Sequence, residues 1–285
     1  MKQIKALIVK EFQTHWTGFL MPVWFTAGVY AVAIIGWILS QIKGDVVSLQ
    51  SQLTGMEKGL GDMILWGGSS GMVAMLGMVS LITAISMADS VLNGGFKRKC
   101  EILHLSQPVS MLKIAGVKYA LVILGSILLF GVVSLFNSVV FYALSGLFFS
   151  GHFYYAVVGW FQGFIGVSLS IIFLGSLWWF FAGLFRRKSF MMGLLVIMGI
   201  EATISILNYT AGLGIPSLTS YISRMGLVDV SFNSNRVNSF GGLNVNYAID
   251  TMWNSILDWE SLLKVVYGAI LGAGGFLLYR HREVA

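Results

Sequence analysis

Residues 153–185 read FYYAVVGWFQGFIGVSLSIIFLGSLWWFFAGLF, with no Asp, Glu, Lys or Arg anywhere in the run. A helix needs roughly 20 apolar residues to cross about 30 Å of hydrocarbon. At about 1.5 Å per residue this run overshoots a bilayer, so it must tilt, protrude or contain a break. The run before it, about Ile114–Phe149, is of similar length and carries the same expectation. Only Ser150-Gly151-His152 separates the two, which makes them a helical hairpin.

Four more apolar runs lie outward from this pair: about Phe19–Ser40, Ile64–Leu92, Ser189–Leu207 and Leu262–Tyr279. The composition agrees with a chain solvated mainly by lipid. Of 285 residues, 56% are hydrophobic and 11% charged, with a mean hydropathy of +0.81. Soluble domains are about 25% charged, so too few charges exist here to cover a water-facing surface. The predicted fold is an all-α integral membrane domain of six transmembrane helices over 19–285, preceded by an amphipathic interfacial helix over 1–18. The length of the apolar run after residue 18, and the lack of a small-residue cleavage site, argue against a cleavable signal peptide.

The net charge of +6 does not point to nucleic acid, because the basic residues sit at the ends of apolar runs. With the N-terminus inside, one side carries Lys2, Lys5, Lys10, Lys97, Arg98, Lys99, Lys113, Lys118, Arg186, Arg187, Lys188, Arg280 and Arg282. The other carries Lys43, Lys58, Arg224, Arg236 and Lys264. The cytoplasmic side of a membrane protein holds the excess of Lys and Arg. Both termini are therefore expected in the cytoplasm, as an even number of spans requires.

Within 1–18, Ile4, Leu7, Ile8, Glu11 and Phe12 recur at helical spacing, with Lys2, Lys5 and Lys10 elsewhere on the wheel. Such a helix lies in the interface with its lysines near anionic head groups. The external segment, about 208–261, is the one long polar stretch and is rich in Asn. In it Ala248, Ile249, Met252, Trp253, Ile256 and Leu257 recur at helical spacing, which predicts a short interfacial helix leading into the last span.

Several chemistries lack their residues. No G-x-x-x-x-G-K-[ST] loop is present to cradle nucleotide phosphates, and no H-E-x-x-H to hold zinc. His15, His104, His152 and His281 lie on separate segments, and Cys100 is the single cysteine. No catalytic residue, metal site or cofactor is expected in this chain.

The most informative polar stretch follows a span that carries Asp89 in its last turn. About 93–113 is the first cytoplasmic loop, and it contains Phe96-Lys97-Arg98-Lys99-Cys100-Glu101-Ile102-Leu103-His104-Leu105-Ser106-Gln107-Pro108-Val109-Ser110. Glu101–Ser106 suits a short helix, and Pro108 blocks its continuation. Ile102, Leu103 and Leu105 are apolar side chains on a short loop, so they need a partner. Gly116-Val117-Lys118 then leads into the next span.

This pattern resembles the permease subunits of type-2 ATP-binding-cassette (ABC) exporters. In that family an acidic span end precedes a basic run, a glutamate with a leucine-rich turn, a proline with a small residue, and a Gly–Lys. Glu101-Ile102-Leu103, Pro108-Val109-Ser110 and Gly116-Val117-Lys118 occupy those places, and Lys10-Glu11-Phe12 matches the family's entry segment. The chain departs at Cys100, where a small or hydroxylated residue is usual, and at Met111, where Arg is frequent. One residue also separates Gly116 from Lys118.

The resemblance implies a coupling interface for a separate cytoplasmic ATPase, carried by Glu101, Ile102, Leu103, His104, Leu105 and Pro108, with Arg186 and Arg187 nearby. ATP-Mg would bind that partner and not this chain. A second permease subunit, identical or not, would complete a path between subunits. The expected location is a prokaryotic cytoplasmic membrane, with lipid as the surrounding partner and the external segment available to an external partner protein.

Polar residues inside the spans are candidates for a translocation path. Glu201 falls about 18 Å along the fifth helix, where an ionisable group is costly and marks function by default. Gln162 and Asn137 are weaker candidates, since each also suits interhelical hydrogen bonding. Small-residue pairs at Gly67/Gly71, Gly159/Gly163 and Gly268/Gly272 favour close helix packing within the chain. Two other readings remain at this point: a self-sufficient secondary transporter, and a permease-like subunit that moves a partner protein without transport.

Overall fold

The computed structural model describes residues 2–43, 58–97, 111–146, 151–185, 188–226 and 245–284. Among them every regular element is helical. The helices are α1 (Lys2–Phe19), α2 (Met21–Lys43), α3 (Lys58–Lys97), α4 (Met111–Ala120), α5 (Ser126–Ser145), α6 (Phe153–Leu184), α7 (Ser189–Ala211), α8 (Leu218–Gly226), α9 (Val245–Ile256) and α10 (Trp259–Val284). A π-helical turn, Leu121–Gly125, joins α4 to α5. Six stretches are long and apolar enough to cross a membrane: Lys5–Ser40, Leu60–Gly94, Lys113–Ser145, Phe153–Leu184, Ser189–Ala211 and Val245–Tyr279. The chain is an integral, multi-pass membrane protein.

In hydrocarbon every backbone polar group needs an internal partner, so apolar runs rich in glycine and aromatic residues still form helices. The overlong hairpin resolves in two ways. Helix α6 continues unbroken for 32 residues. The partner run is interrupted by the π turn, whose Leu121, Val122 and Ile123 are buried. Such turns insert into helices at points of local strain or function.

Helix α6 is the central column, with α3 along one side and α10 along another. Small residues set both seams. A Cβ built on Gly159 would lie 2.5 Å from the Trp66 carbonyl oxygen, and one on Gly163 2.7 Å from the Val73 side chain. One turn of α3 further on, the roles reverse and Gly77 receives Val167. On the other seam Gly268 of α10 meets Ile172, and Gly183 faces the backbone of Gly275. Of the three small-residue pairs read from sequence, Gly159/Gly163 packs on α3, while Gly268 and Gly272 pack on Ile172 and Tyr119. Gly67 and Gly71 have nothing close to a would-be Cβ.

The buried core follows these seams. One cluster joins Phe19, Met87, Val91, Val122, Trp179 and Tyr279. A second joins Val73, Leu76, Phe130, Val167 and Ile171. Helices α2 and α7 stand at the margin. Only 6% of the apolar window of α7 is buried, against 56% for α6. The end of α3, the start of α4, the end of α6, the start of α7 and the last turns of α10 share one end, here called the basic end after Lys113, Lys118 and Lys188. The first turns of α3 and α6 form the opposite end, with α9 laid across them.

Helix α9 fits the short helix expected before the last span. The segment preceding it holds an element that the sequence pattern did not suggest. After Gly212 and Gly214, both at positive φ, the chain turns back and α8 runs against α7 and α6. The Asn208 side chain clasps this turn, accepting from Ile215 N at 2.7 Å and donating to Ile215 O at 2.8 Å. The backbone N–H of Thr219 then reaches Glu201, ten residues before the end of α7 at Ala211. At about 1.5 Å per residue, α8 begins about 15 Å back along α7.

Candidate functional site

Glu101, Ile102, Leu103, His104, Leu105, Pro108, Arg186 and Arg187 lie outside the described residues. The frame that holds them is described on both sides. In the sequence, 98–110 follow the end of α3 and precede the start of α4, and 186–187 fall between α6 and α7. Asp89 and Asn93, one turn apart on α3, join these two places. Asn93 Nδ2 donates to Asp89 Oδ1 at 2.8 Å and lies 3.3 Å from the Phe185 carbonyl oxygen. The Ser189 hydroxyl, in the first turn of α7, also donates to Asp89 Oδ1.

A carboxylate at that position does two things. It satisfies a hydroxyl, and it places negative charge at the N-terminus of α7, where the helix dipole favours it. Lys188, just before α7, holds the left-handed conformation at φ 52 and offers no side-chain cap, so Asp89 supplies the anion from another helix. An acidic residue near the end of this span was read from sequence, whereas its tie to α7 depends on two segments a hundred residues apart. Asp89→Ala is expected to lower stability by about 1–3 kcal/mol, since it takes the acceptor from the buried Ser189 hydroxyl and one of the two acceptors from the Asn93 amide. Asp89→Asn, which keeps an acceptor, should recover part of the loss in thermal unfolding.

Helix α1 packs beside this node. Glu11 is buried and lies 3.8 Å from His15, whose ring approaches Gly94, while Gly18 abuts Met87. Lys118 is buried as well, with its ammonium 5.9 Å from the centre of the Tyr279 ring. A cation at that distance gains from the ring quadrupole.

The three path candidates fall at different places. Gln162 is fully buried near the opposite end, and both ends of its amide are engaged. Its Oε1 accepts from Trp66 Nε1 at 2.8 Å, and its Nε2 donates to the Ile249 carbonyl at 2.9 Å. The residue thus pins α9 onto α3 and α6. Asn137 is buried on α5 and donates to Val133 O at 2.7 Å, one turn back on its own helix. At the next residue the Ser138 hydroxyl accepts from Ser69 of α3 at 2.9 Å.

Glu201 is the one of the three at the surface of the bundle. Its Oε2 accepts from Thr219 N at 3.0 Å, so its carboxylate sits on the positive end of α8. One turn on, α7 exposes Ser205, and α8 exposes Thr219, Ser220, Ser223 and Arg224. Arg224 makes a two-point ion pair with Glu260 at the start of α10, and Tyr221 stacks edge-on against Tyr267 of α10. These hydroxylated and charged α8 residues were missed in the sequence reading. The spacing of Gly212, Gly214 and Pro216 is the signal that marks the turn.

At the opposite end Asp62 of α3 caps α6. It accepts the His152 backbone N–H at 2.8 Å, with the imidazole Nδ1 at 3.1 Å. Among the described residues no group of three or more His, Cys, Asp or Glu is placed to hold a metal ion. No protein-family model, no curated protein and no solved structure matches this chain.

Proposed function

We propose that the chain is the membrane-spanning permease subunit of an ABC exporter, with the basic end and both termini in the cytoplasm. Two such subunits, identical or not, pair with two cytoplasmic ATPases that bind ATP-Mg. The chain itself then performs no chemistry and converts movement into access.

The observation that carries this reading is the α7–α8 hairpin. It exposes Glu201, Arg224 and a group of hydroxyls beside a helix apolar enough to span a membrane. Polar surface at that depth is costly against hydrocarbon and belongs beside water or another protein. A path between two permease subunits supplies both. The marginal place of α7, hardly buried within one chain, agrees with a second subunit covering it.

The basic end supplies the other half of the mechanism. In the sequence the Glu101–Ser110 stretch joins α3 to α4, and Asp89 binds α3 to the first turn of α7. A push from a closing ATPase dimer on that stretch reaches α7 through this bond and the α3–α6 seam. The polar α7–α8 face moves with it. A self-sufficient secondary transporter would need a midplane carboxylate free for a coupling ion. Here Glu201 already holds the N-terminus of α8.

The test is reconstitution with the ATPase in liposomes. Glu101→Arg and Leu103→Asp are each expected to leave the permease folded while ATP hydrolysis no longer drives transport, or the ATPase no longer binds. Normal coupling in both variants would sink the docking role of this loop.

A further inference from the structure

We infer that the π turn Leu121–Gly125 is a register joint, at which α4 turns about its own axis while α5 stays in place. The inference concerns the span Lys113–Ser145 by itself and stands whatever the protein moves. The two halves of that span are held by different neighbours. On α4 the hydroxyls of Tyr119 and of Ser176 on α6 lie 2.7 Å apart, and the Tyr119 ring meets Trp179 of α6 and Phe276 of α10 edge-on. Lys118 stands over the Tyr279 ring of α10. On α5 Ser138 accepts from Ser69 of α3, Ser134 accepts from Trp160 of α6 at 3.0 Å, and Phe130 stacks on Phe164. A π turn bonds residue i to i+5 and so holds one residue more than an α turn. That residue lets both halves face their partners. In an unbroken α-helix of the same residues, α4 would be turned by about 100° and Ala120 would stand where Tyr119 does.

The neighbours of the turn are side chains that can move aside. Ile123 fills a notch at Gly175 of α6, where a Cβ would lie 2.6 Å from its Cδ1, and the Phe19 ring of α1 covers Gly125. Ser126, just past the turn, is out of keeping with the other helix hydroxyls. It is 3% exposed, and its Oγ has no hydrogen-bond partner. Elsewhere such hydroxyls bond back three or four residues, as Thr26 does to Pro22 O, Ser80 to Leu76 O and Ser134 to Gly131 O. For Ser126 those carbonyls belong to Ile123 and Val122, inside the π turn, and Ile123 O already takes the Ser126 backbone N–H. Once 122–126 is α-helical, Val122 O lies one turn back from the hydroxyl and accepts from it. The span thus has two forms that satisfy different groups. The π form keeps Tyr119 and Lys118 in their places, and the α form completes the bonding of Ser126. Between the two, the extra residue travels along α4 towards the basic end, and each residue it passes moves on by one place.

The test is hydrogen exchange, read by mass spectrometry, on the purified full chain in nanodiscs. Deletion of Leu124, an exposed residue of the turn, removes the extra residue and leaves α4 and α5 facing the same partners. That variant should stay folded and still be weakened by Tyr119→Phe, as wild type is. Deletion of Val132, also exposed but within unbroken α5, should lower the unfolding temperature far more. Amides over 113–127 are expected to exchange faster in wild type than in the Leu124 deletion, since the passing residue opens each α4 bond in turn. Ser126→Ala removes what the α form gains, so exchange over 113–127 should slow by roughly fivefold, the factor that one net hydrogen bond is worth. The inference is overturned if the faster exchange is confined to 121–126, as a fixed insertion would give. It is also overturned if Ser126→Ala leaves exchange over 113–120 unchanged, or if the two deletions are equally damaging.

Discussion

Gly159→Val is expected to leave almost no stably folded protein. The position has no room for a side chain, because even a single Cβ there would press on the Trp66 carbonyl oxygen and the Ser70 hydroxyl. The obstacle is backbone, so it cannot swing aside as a side-chain tip would. Helices α3 and α6 must separate, and their separation breaks the seam on which both the second core cluster and the basic-end node depend. Overpacking costs about 1–3 kcal/mol where neighbours can adjust, and this site belongs at or above the top of that range. Gly67→Ala, with nothing within reach of its Cβ, should be close to neutral. Thermal unfolding in detergent decides it. Equal midpoints for the two variants would mean that the α3–α6 seam is not close-packed.

Gln162→Leu is the second large effect. The replacement is similar in size, so it removes hydrogen bonding without opening a cavity. It takes the Gln162 acceptor from the Trp66 indole N–H in a site closed to water, and it removes the second donor of the Ile249 carbonyl, which keeps its bond within α9. Loss of the buried indole's acceptor is expected to cost about 1–3 kcal/mol. The loss has a place as well as a size. Val245, Ile249, Met252 and Ile256 still face Trp66, but α9 loses its polar anchor. Hydrogen exchange should rise in 245–256 more than in α10. A uniform rise, or none, would show that Gln162 does not hold α9.

The contrast between these residues shows what a sequence can carry. The spans were legible because length and hydropathy are properties of continuous stretches, and hydrocarbon leaves such stretches only helix. Gly159 and Gly163 were legible as packing residues from their spacing alone. Gln162 was read as a candidate for the path because a polar residue in an apolar run signals either function or glue. Its partners lie 96 and 87 positions away, and only the folded bundle shows that both amide groups are used. Glu201 teaches the same lesson at shorter range. Its depth was readable, and its place as a cap was not, since that needed the return of α8 through a turn clasped by Asn208. The overlong Ile114–Phe149 run was expected to tilt, protrude or break. It is interrupted at Leu121–Gly125, where Leu121, Val122 and Ile123 are buried.

The basic-end node stands between these cases. Asp89 at the end of its span was visible, and so was the loop that follows. The bond from Asp89 to Ser189 gives the pair a mechanical meaning, because it fastens the helix before the loop to the helix that carries the polar α8 face. Movement of α3 without α7 would have to break it.

The account rests most heavily on a partner ATPase acting at the loop between α3 and α4. Isolation of the solubilised chain from its native membrane under gentle detergent or nanodisc conditions, followed by mass spectrometry, tests that directly. The account predicts a stoichiometric soluble ATPase that is lost on Leu103→Asp while the variant chain stays folded. A wild-type chain that comes out with no ATPase would contradict it.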